Sequence, residues 1–196
     1  MMTGMTRHPE MTVDLAALVM LVRGYTELSF LGPGPIEIQK LSYFLQVAGE
    51  PLGLDFALGR YGLTVDNLAD LLDAAEGHCL GRYGDVGAPV GAAELLETLP
   101  GAVEEAEAVL ENAPETRERI DRVLDLACGF ESAYSLELLA TVHWLSERDR
   151  DVDDDELAKR VWEWSPRKAR MFTADHVRIA LDALREQDWL PQPVPA

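Results

Sequence analysis

The segment formed by residues 36–85 constrains the fold of this chain most, because amphipathic helix patterns alternate there with glycine-marked turns. Apolar residues between positions 38 and 45 predict a first helix that ends at Gly49. A short strand at 54–58 follows, and a second helix ends at Gly77. Glycine tolerates the backbone conformations that end helices and form tight turns. The segment therefore predicts a helical scaffold interrupted by short extended pieces.

Helical periodicity continues through the rest of the chain, whereas regular alternation of strands and helices is absent. Thr12 and Thr173 are suitable N-caps, and the Gly-Pro repeat at 32–35 is a break that no helix crosses. Further helices are predicted at 13–30, 92–99, 102–112, 115–127, 136–147, 155–164 and 174–187, with a loop at 165–173. Strands are expected only at 54–58 and 79–83. The sequence predicts a mainly α, compact multi-helix domain with one or two short strands.

The domain organisation is predicted from composition shifts at the two ends. Residues 1–11 contain four methionines and are expected to form a disordered leader, and the proline-rich residues 191–196 a disordered tail. Residues 12–190 are predicted to form one domain with a possible sub-boundary near residue 130. In residues 134–190 the order helix, turn, helix, loop, helix resembles a winged helix-turn-helix without a clear hairpin wing.

Composition places the chain among water-soluble proteins of a reducing compartment. The hydrophobic content of 47% excludes wholesale disorder, and the most apolar run, residues 15–22, is too short for a membrane span. Cys79 and Cys128 are too few for a disulfide framework, and no secretion signal is recognisable. We expect a cytoplasmic protein.

Acidic residues outnumber basic ones by 35 to 17, which gives a formal charge of −18. Such a charge repels nucleic-acid phosphates and attracts basic surfaces. Ten acids and three arginines fall within residues 94–125, where they alternate with buried stripes of the predicted helices. The excess therefore indicates either solvated helix faces or a surface for a basic partner.

No motif for catalysis, metal or cofactor binding is recognisable. The run of acids at 149–156 lacks the central glycine and the glutamate at position twelve that a calcium loop needs. Asp153 or Asp154 can instead cap a helix whose positive end favours Glu156. Carboxylates at this spacing can also replace successive phosphates in a cationic groove, and the two interpretations are compatible. We predict no catalytic residue, no metal and no cofactor.

Arg167, Lys168 and Arg170 form a compact basic cluster. On a winged-helix frame this position would contact DNA phosphates. Pairing with acidic residues of the same chain, or contact with a protein, is the alternative. The sequence does not choose between DNA and protein for this cluster.

An ordered series of short motifs identifies a family resemblance. The series QKL-x-YF, AGEPL, G-R-YG, NL-x(2)-LL, EGH and YGD within residues 36–85 resembles the C-terminal domain of DarG antitoxins, which binds the toxin DarT. The resemblance continues at Gly129-Phe130-Glu131, His143-Trp144 and Trp164-Ser165, and Leu63 and Thr64 replace a proline and an aromatic residue of the family pattern. A looser likeness to the Panacea domain of other antitoxins exists in the QKL, YF and GEPL pieces.

The resemblance implies a non-enzymatic antitoxin-like inhibitor. DarT ADP-ribosylates single-stranded DNA, and the chain would block the DNA-binding groove of a DarT-like toxin by acidic single-stranded DNA mimicry. Full-length family members carry an N-terminal macrodomain that removes ADP-ribose from DNA. About 34 residues precede the match here, which is too few for a macrodomain, so we expect no glycohydrolase activity. The expected contacts, called the acidic surface below, are Asp151, Asp153, Asp154, Glu156, Glu104 and Glu111.

Two other functions stay open. A winged-helix DNA-binding regulator would need Arg167, Lys168, Arg170 and Arg178 on one exposed face. A protein adaptor, which the Panacea likeness permits, would instead hand a bound partner to another enzyme. Neither nucleic acid nor a membrane is expected as a direct partner of the inhibitor.

Overall fold

The computed structural model describes residues 10–59, 62–83, 95–149 and 152–191, and it confirms the mainly α fold. Within these residues the chain forms nine helices and four short strands. The helices are α1 (Val13–Ser29), α2 (Pro35–Val47), α3 (Leu68–Ala75), α4 (Ala102–Leu110), α5 (Pro114–Ala127), α6 (Ala133–Arg148), α7 (Asp154–Trp164), α8 (Pro166–Met171) and α9 (Ala174–Glu186). The strands are β1 (Phe56–Leu58), β2 (Leu63–Val65), β3 (Leu80–Tyr83) and β4 (Leu95–Thr98).

Helix α1 lies at the centre of the first part of the fold, packed against α4 and α5. Thr12 caps it as predicted, because its side-chain oxygen accepts a hydrogen bond from the Leu15 backbone N–H at 3.3 Å. The apolar run of α1 is buried, with Leu18 and Val19 fully excluded from solvent. Burial of these apolar side chains stabilises the fold through the hydrophobic effect.

Helix α6 connects the later helices to the earlier ones. It packs against α2, α9 and α7, while α8 packs on α7. Contacts between α2 and α6 thus cross position 130. The division of residues 12–190 around that position stays a prediction, and residues 1–9 and 192–196 of the expected leader and tail lie outside the described residues.

The strands form two antiparallel hairpins. In the first, β1 pairs with β2 and places Phe56 opposite Val65; in the second, β3 pairs with β4 and places Leu80 opposite Thr98. The predicted helix at 92–99 is wrong for its described part, because residues 95–98 are extended. The backbone N–H of Leu96 donates to the carbonyl of Pro33 at 2.9 Å, so long-range pairing overrides the helical pattern.

Helix α8 occupies most of the segment that was predicted as a loop. Pro166 begins this helix, and the hydroxyl oxygen of Ser165 accepts a hydrogen bond from the backbone N–H of Lys168 at 3.2 Å. Proline at the first position and serine as the cap are both typical helix-start signals. No helix among the described residues is long and apolar enough to cross a membrane.

Candidate functional site

Three charged side chains meet inside the fold where α2, α6 and α8 converge. Lys40 Nζ lies 3.0 Å from Glu137 Oε2, and Lys168 Nζ lies 2.6 Å from Glu137 Oε1. Each lysine side chain is only 2% exposed, and that of Glu137 is 15% exposed. One carboxylate therefore bridges two buried ammonium groups, and this buried triad keeps a net charge of +1.

Helix-start signals in the local sequence set the positions of these groups. Pro35 begins α2, and Ser132 caps α6 by accepting a hydrogen bond from the Ser135 backbone N–H. Glu137 and Thr141 are one helical turn apart on α6, so they face the same side of that helix. The short α8 presents Lys168 to them.

The remaining hydrogen bonds of the triad fix it in place. The Lys40 ammonium also donates to the carbonyl of Leu63 at 2.5 Å and to Gln39 Oε1 at 2.8 Å, which accounts for its three N–H groups. The Lys168 ammonium also donates to Thr141 Oγ1 at 2.8 Å. The same ammonium makes cation–π contacts with the rings of Trp164 and Phe172, whose centroids are 4.8 and 5.2 Å away.

Burial changes the acidity of both lysines. Desolvation lowers the pKa of Lys40 and of Lys168 below their ordinary values, while the charge and hydrogen bonds of Glu137 oppose this effect. A neighbouring ammonium lowers the pKa of Lys168 further. A lysine whose pKa is lowered by burial is suited to proton transfer near neutral pH.

A cavity of about 280 Å³ opens over the triad. It is lined by Ile36, Gln39, Lys40, Gly62, Leu63, Thr64, Ala133, Tyr134, Glu137, Arg167 and Met171. The glycine at position 62 leaves room for the Glu137 carboxylate, because an added Cβ would lie 2.1 Å from Glu137 Oε1 and one of the two would have to shift. This volume is slightly below the roughly 300–1,000 Å³ of typical small-molecule sites.

The sequence analysis did not predict this site, although the sequence contains a signal for buried charges. Lys40 is the one basic residue of an apolar helix, and Glu137 stands between two leucines. Isolated charges inside apolar helical patterns are rarely buried without a partner. No group of His, Cys, Asp and Glu that could hold a metal ion is found within the described part of the chain.

The structure brings three residues of the expected acidic surface together at the start of α7. Asp153 caps α7, since its Oδ1 accepts a hydrogen bond from the Glu156 backbone N–H at 2.8 Å. Asp154 forms a two-point ion pair with Arg185 of α9, at 2.7 and 2.9 Å. Hydrogen bonding from Arg185 lowers the pKa of Asp154. These carboxylates thus have structural roles beside any partner contact.

The remaining carboxylates of the acidic surface differ in their ion pairing. Glu156 pairs with Lys159 at 3.3 Å on its own helix. Glu104 in α4 and Glu111 at its C-terminus are exposed, and neither has a recorded ion pair with another described residue. Asp151 lies outside the described residues.

The basic cluster is divided between the interior and the surface. Lys168 belongs to the buried triad, whereas Arg167 and Arg170 are exposed. Arg178 pairs with Asp175 at 2.7 Å. Lys168 therefore contributes nothing to an exposed basic face, and the sequence-based alternative of structural pairing holds for this lysine.

Three proteins with established names are similar to this chain. A DNA ADP-ribosyl glycohydrolase of Thermus aquaticus is 39% identical over 192 residues, which covers 94% of this chain and 51% of that protein. Proteins of the same name from Mycobacterium bovis and Mycobacterium tuberculosis are each 35% identical over 161 residues, with 78% of this chain and 44% of the relative covered. No protein-family model matches the chain.

These names correct the functional interpretation of the sequence. All three relatives carry the name of an enzyme. Three expectations are therefore wrong: the assignment to a toxin-binding DarG antitoxin domain, the Panacea likeness and the non-enzymatic inhibitor. DNA mimicry as the mechanism, and the regulator and adaptor alternatives, are contradicted by the same finding. The chain spans about half the length of the curated relatives it matches, and it is similar to that half of a DNA ADP-ribosyl glycohydrolase.

Proposed function

We propose that this chain forms one half of a DNA ADP-ribosyl glycohydrolase and takes part in removing ADP-ribose from DNA. The observation that carries the proposal is the identity of 39% with the Thermus aquaticus protein across 94% of the chain. The cavity above the buried triad is the candidate place for this chemistry. Since DNA is the expected substrate, we also propose a cytoplasmic location.

The chemistry of the bond suggests roles for two residues of the triad. Hydrolysis adds the oxygen of water to the anomeric carbon of ribose, breaks the bond from that carbon to DNA, and returns a proton to the leaving group. Glu137 lines the cavity, and we assign its carboxylate to accept a proton from the attacking water. The two lysines hold that carboxylate in place. Lys40, which also lines the cavity and whose pKa is lowered by burial, is the candidate proton donor to the leaving group.

The test uses a single-stranded oligonucleotide that carries one ADP-ribose group. Released ADP-ribose is measured by chromatography with the chain, with Glu137→Gln and with Arg178→Gln, a variant at an exposed pair outside the cavity. We expect Glu137→Gln to slow release by about 100-fold or more, the usual contribution of an acid–base group, and Arg178→Gln to leave it unchanged.

Two outcomes would overturn this function. One is the absence of release above a protein-free control, and the other is equal release by the chain and a folded Glu137→Gln variant. Circular dichroism establishes folding in each case. If Glu137→Gln does not fold, Glu137→Asp keeps the charge but withdraws the carboxylate by one methylene group, and it is expected to be slower as well.

We further propose a DarT-like toxin as the protein partner, because an enzyme that removes ADP-ribose from DNA acts on the product of a DNA ADP-ribosyltransferase. The supporting observation is the charge of −18, with Glu104 and Glu111 exposed. Basic proteins associate with such surfaces in a salt-dependent way. Calorimetry with a purified DarT-like protein at two salt concentrations tests this partner. Equal affinity of the chain and a Glu104→Gln, Glu111→Gln variant at low salt would exclude this part of the acidic surface.

A further inference from the structure

Four apolar side chains are exposed in and beside the short connection between α1 and α2. Phe30 is 89% exposed, Leu31 63% and Ile36 43%, and Pro35 is exposed as well. Six large apolar side chains are exposed among the described residues, and three of them lie within these seven positions. Single exposed apolar residues are common on protein surfaces, whereas a group of them marks a contact surface. Phe30, Leu31, Pro35 and Ile36 are named the connection patch below.

The backbone under this patch is packed against the rest of the fold. The Leu96 backbone N–H donates to the Pro33 carbonyl at 2.9 Å, which joins the connection to β4. Pro33 and Gly34 are buried, and a Cβ added to Gly32 would lie 1.7 Å from the Leu96 carbonyl oxygen. The exposed side chains are therefore presented by a fixed backbone rather than by a loose loop.

Phe30 has a backbone conformation that is unusual for its residue type. It ends α1 with a φ of 63°, in the left-handed region, where glycine is the usual residue and bulky side chains are disfavoured. Phenylalanine at this position combines backbone strain with a ring in water, and neither stabilises the isolated chain. A partner that buries the ring accounts for this residue, because aromatic side chains supply much of the binding energy of protein interfaces.

The charge and size of the patch favour one kind of partner. The formal charge of −18 repels a second copy of the chain, and it repels nucleic acid and anionic membranes as well. Four side chains are also few compared with the roughly 20–30 residues a side of stable complexes between separate proteins. Domains of one polypeptide associate through weaker contacts, because the linker keeps them at a high local concentration.

The curated relatives contain a domain-sized region that could supply this partner. The match covers 51% of the Thermus aquaticus protein over 192 residues, so about the same number of residues of that protein lies outside the match. Ile36 belongs both to the connection patch and to the wall of the cavity over the buried triad. A domain seated on the patch would extend that wall, and the cavity of about 280 Å³ is slightly smaller than typical small-molecule sites.

We propose that the connection patch docks the half of a DNA ADP-ribosyl glycohydrolase that the match leaves uncovered, with the Phe30 ring as the central contact. The facing surface has an apolar pocket that receives this ring. The inference rests on the proposed function, in which the chain forms one half of such an enzyme. It extends that function by naming the partner of this half and the surface that binds it.

The test uses a fusion of this chain with the unmatched half of the Thermus aquaticus protein. The two parts are joined in the order of that protein through a protease cleavage site, so that both fold within one polypeptide before cleavage. Sedimentation velocity over a dilution series then measures how tightly the cleaved halves associate. We expect the halves to sediment together and this chain by itself to sediment as a monomer.

Phe30→Gly is the decisive variant, because glycine fits the left-handed backbone while the ring is removed. We expect it to leave the Tm of this chain unchanged or raised, and to weaken the association of the cleaved halves about tenfold or more. Ile179→Ser is the matched control, since Ile179 of α9 is 53% exposed and lies outside the patch. It should leave the association unchanged.

Four results would overturn the inference. They are separation of the halves on cleavage, an equal effect of Phe30→Gly and Ile179→Ser on their association, a dimer of this chain that Phe30→Gly dissociates, and a lower Tm of Phe30→Gly, which would assign the ring to the fold. Association that depends on Phe30, in a fusion that releases no ADP-ribose from modified DNA, refutes the proposed function only. Release of ADP-ribose by a fusion whose halves separate on cleavage refutes this inference only.

Discussion

Glu137 and Lys168 lie 31 positions apart in the sequence, yet the carboxylate Oε1 and the ammonium Nζ are 2.6 Å from each other inside the fold. Lys40 completes the contact from a third helix. Each buried charge is compensated by its neighbours. Removing one leaves a remaining charge buried without a counter-charge, which lowers the stability of the folded state. This relationship makes the triad testable as a structural unit as well as a candidate site.

Glu137→Gln should lower the free energy of unfolding by about 3–5 kcal/mol, the usual cost of breaking a buried pair. The reason is that both buried lysines lose their counter-charge at once. Urea unfolding at neutral pH measures the loss, and Asp175→Asn, which breaks the exposed pair with Arg178, should cost under about 0.5 kcal/mol. A loss for Glu137→Gln as small as that of the control would contradict the burial of the triad.

Gly62→Ala should destabilise the protein by about 1–3 kcal/mol, as overpacking generally does. Its Cβ would lie 2.1 Å from Glu137 Oε1, so the carboxylate or the β2 backbone has to shift. The double variant Gly62→Ala, Glu137→Asp provides the control, because the shorter acid withdraws from the new methyl group. We expect the stability losses of the single variants Gly62→Ala and Glu137→Asp to add up to more than the loss of the double variant. Strict additivity in thermal unfolding would indicate that residues 62 and 137 do not touch.

His143 should make the stability depend on pH below 6.5. Tyr43 contacts it at 2.7 Å, and burial lowers the pKa of His143 from 6.5 to about 4. Between these values the unfolded chain binds the proton and the folded chain does not, so stability is greatest above pH 6.5 and falls as the pH decreases toward 4. From pH 7 to pH 5 this histidine should account for a loss of about 2 kcal/mol.

His143→Gln, which keeps a hydrogen-bonding group for Tyr43, is the comparison for that pH effect. The variant should lose less stability than the parent chain between pH 7 and pH 5 in urea titrations, because it has no proton to bind there. Parallel pH profiles of the two proteins would show that His143 does not titrate in this range.

Asp153→Ala should cost about 1 kcal/mol through the loss of the α7 cap. Asp153→Asn keeps an acceptor for the Glu156 backbone N–H and should cost only a fraction of that. Thermal unfolding compares the two variants. The same two variants distinguish a structural role of Asp153 from a role in partner binding. A contact that needs the charge of Asp153 is weakened by both substitutions, whereas the helix cap is lost only in Asp153→Ala.

Local sequence signals determined most of the helices. Thr12, Thr173 and Asp153 act as caps where the sequence places them, because capping involves only the next three residues. The apolar stripe of α1 is likewise buried as its spacing predicts. The signals for α8, a serine cap followed by Pro166, are equally local, although the sequence analysis predicted a loop at 165–173.

Tertiary structure alone decided the rest. Residues 95–98 pair with β3, and the backbone of Leu96 bonds to that of Pro33, so their strand conformation depends on partners far away in sequence. The buried triad also depends on residues far apart in sequence, because no helical or strand periodicity relates Lys40, Glu137 and Lys168 to one another. Periodicity and capping act over a few residues, whereas compensation of buried charge requires the packed interior that brings these three side chains together.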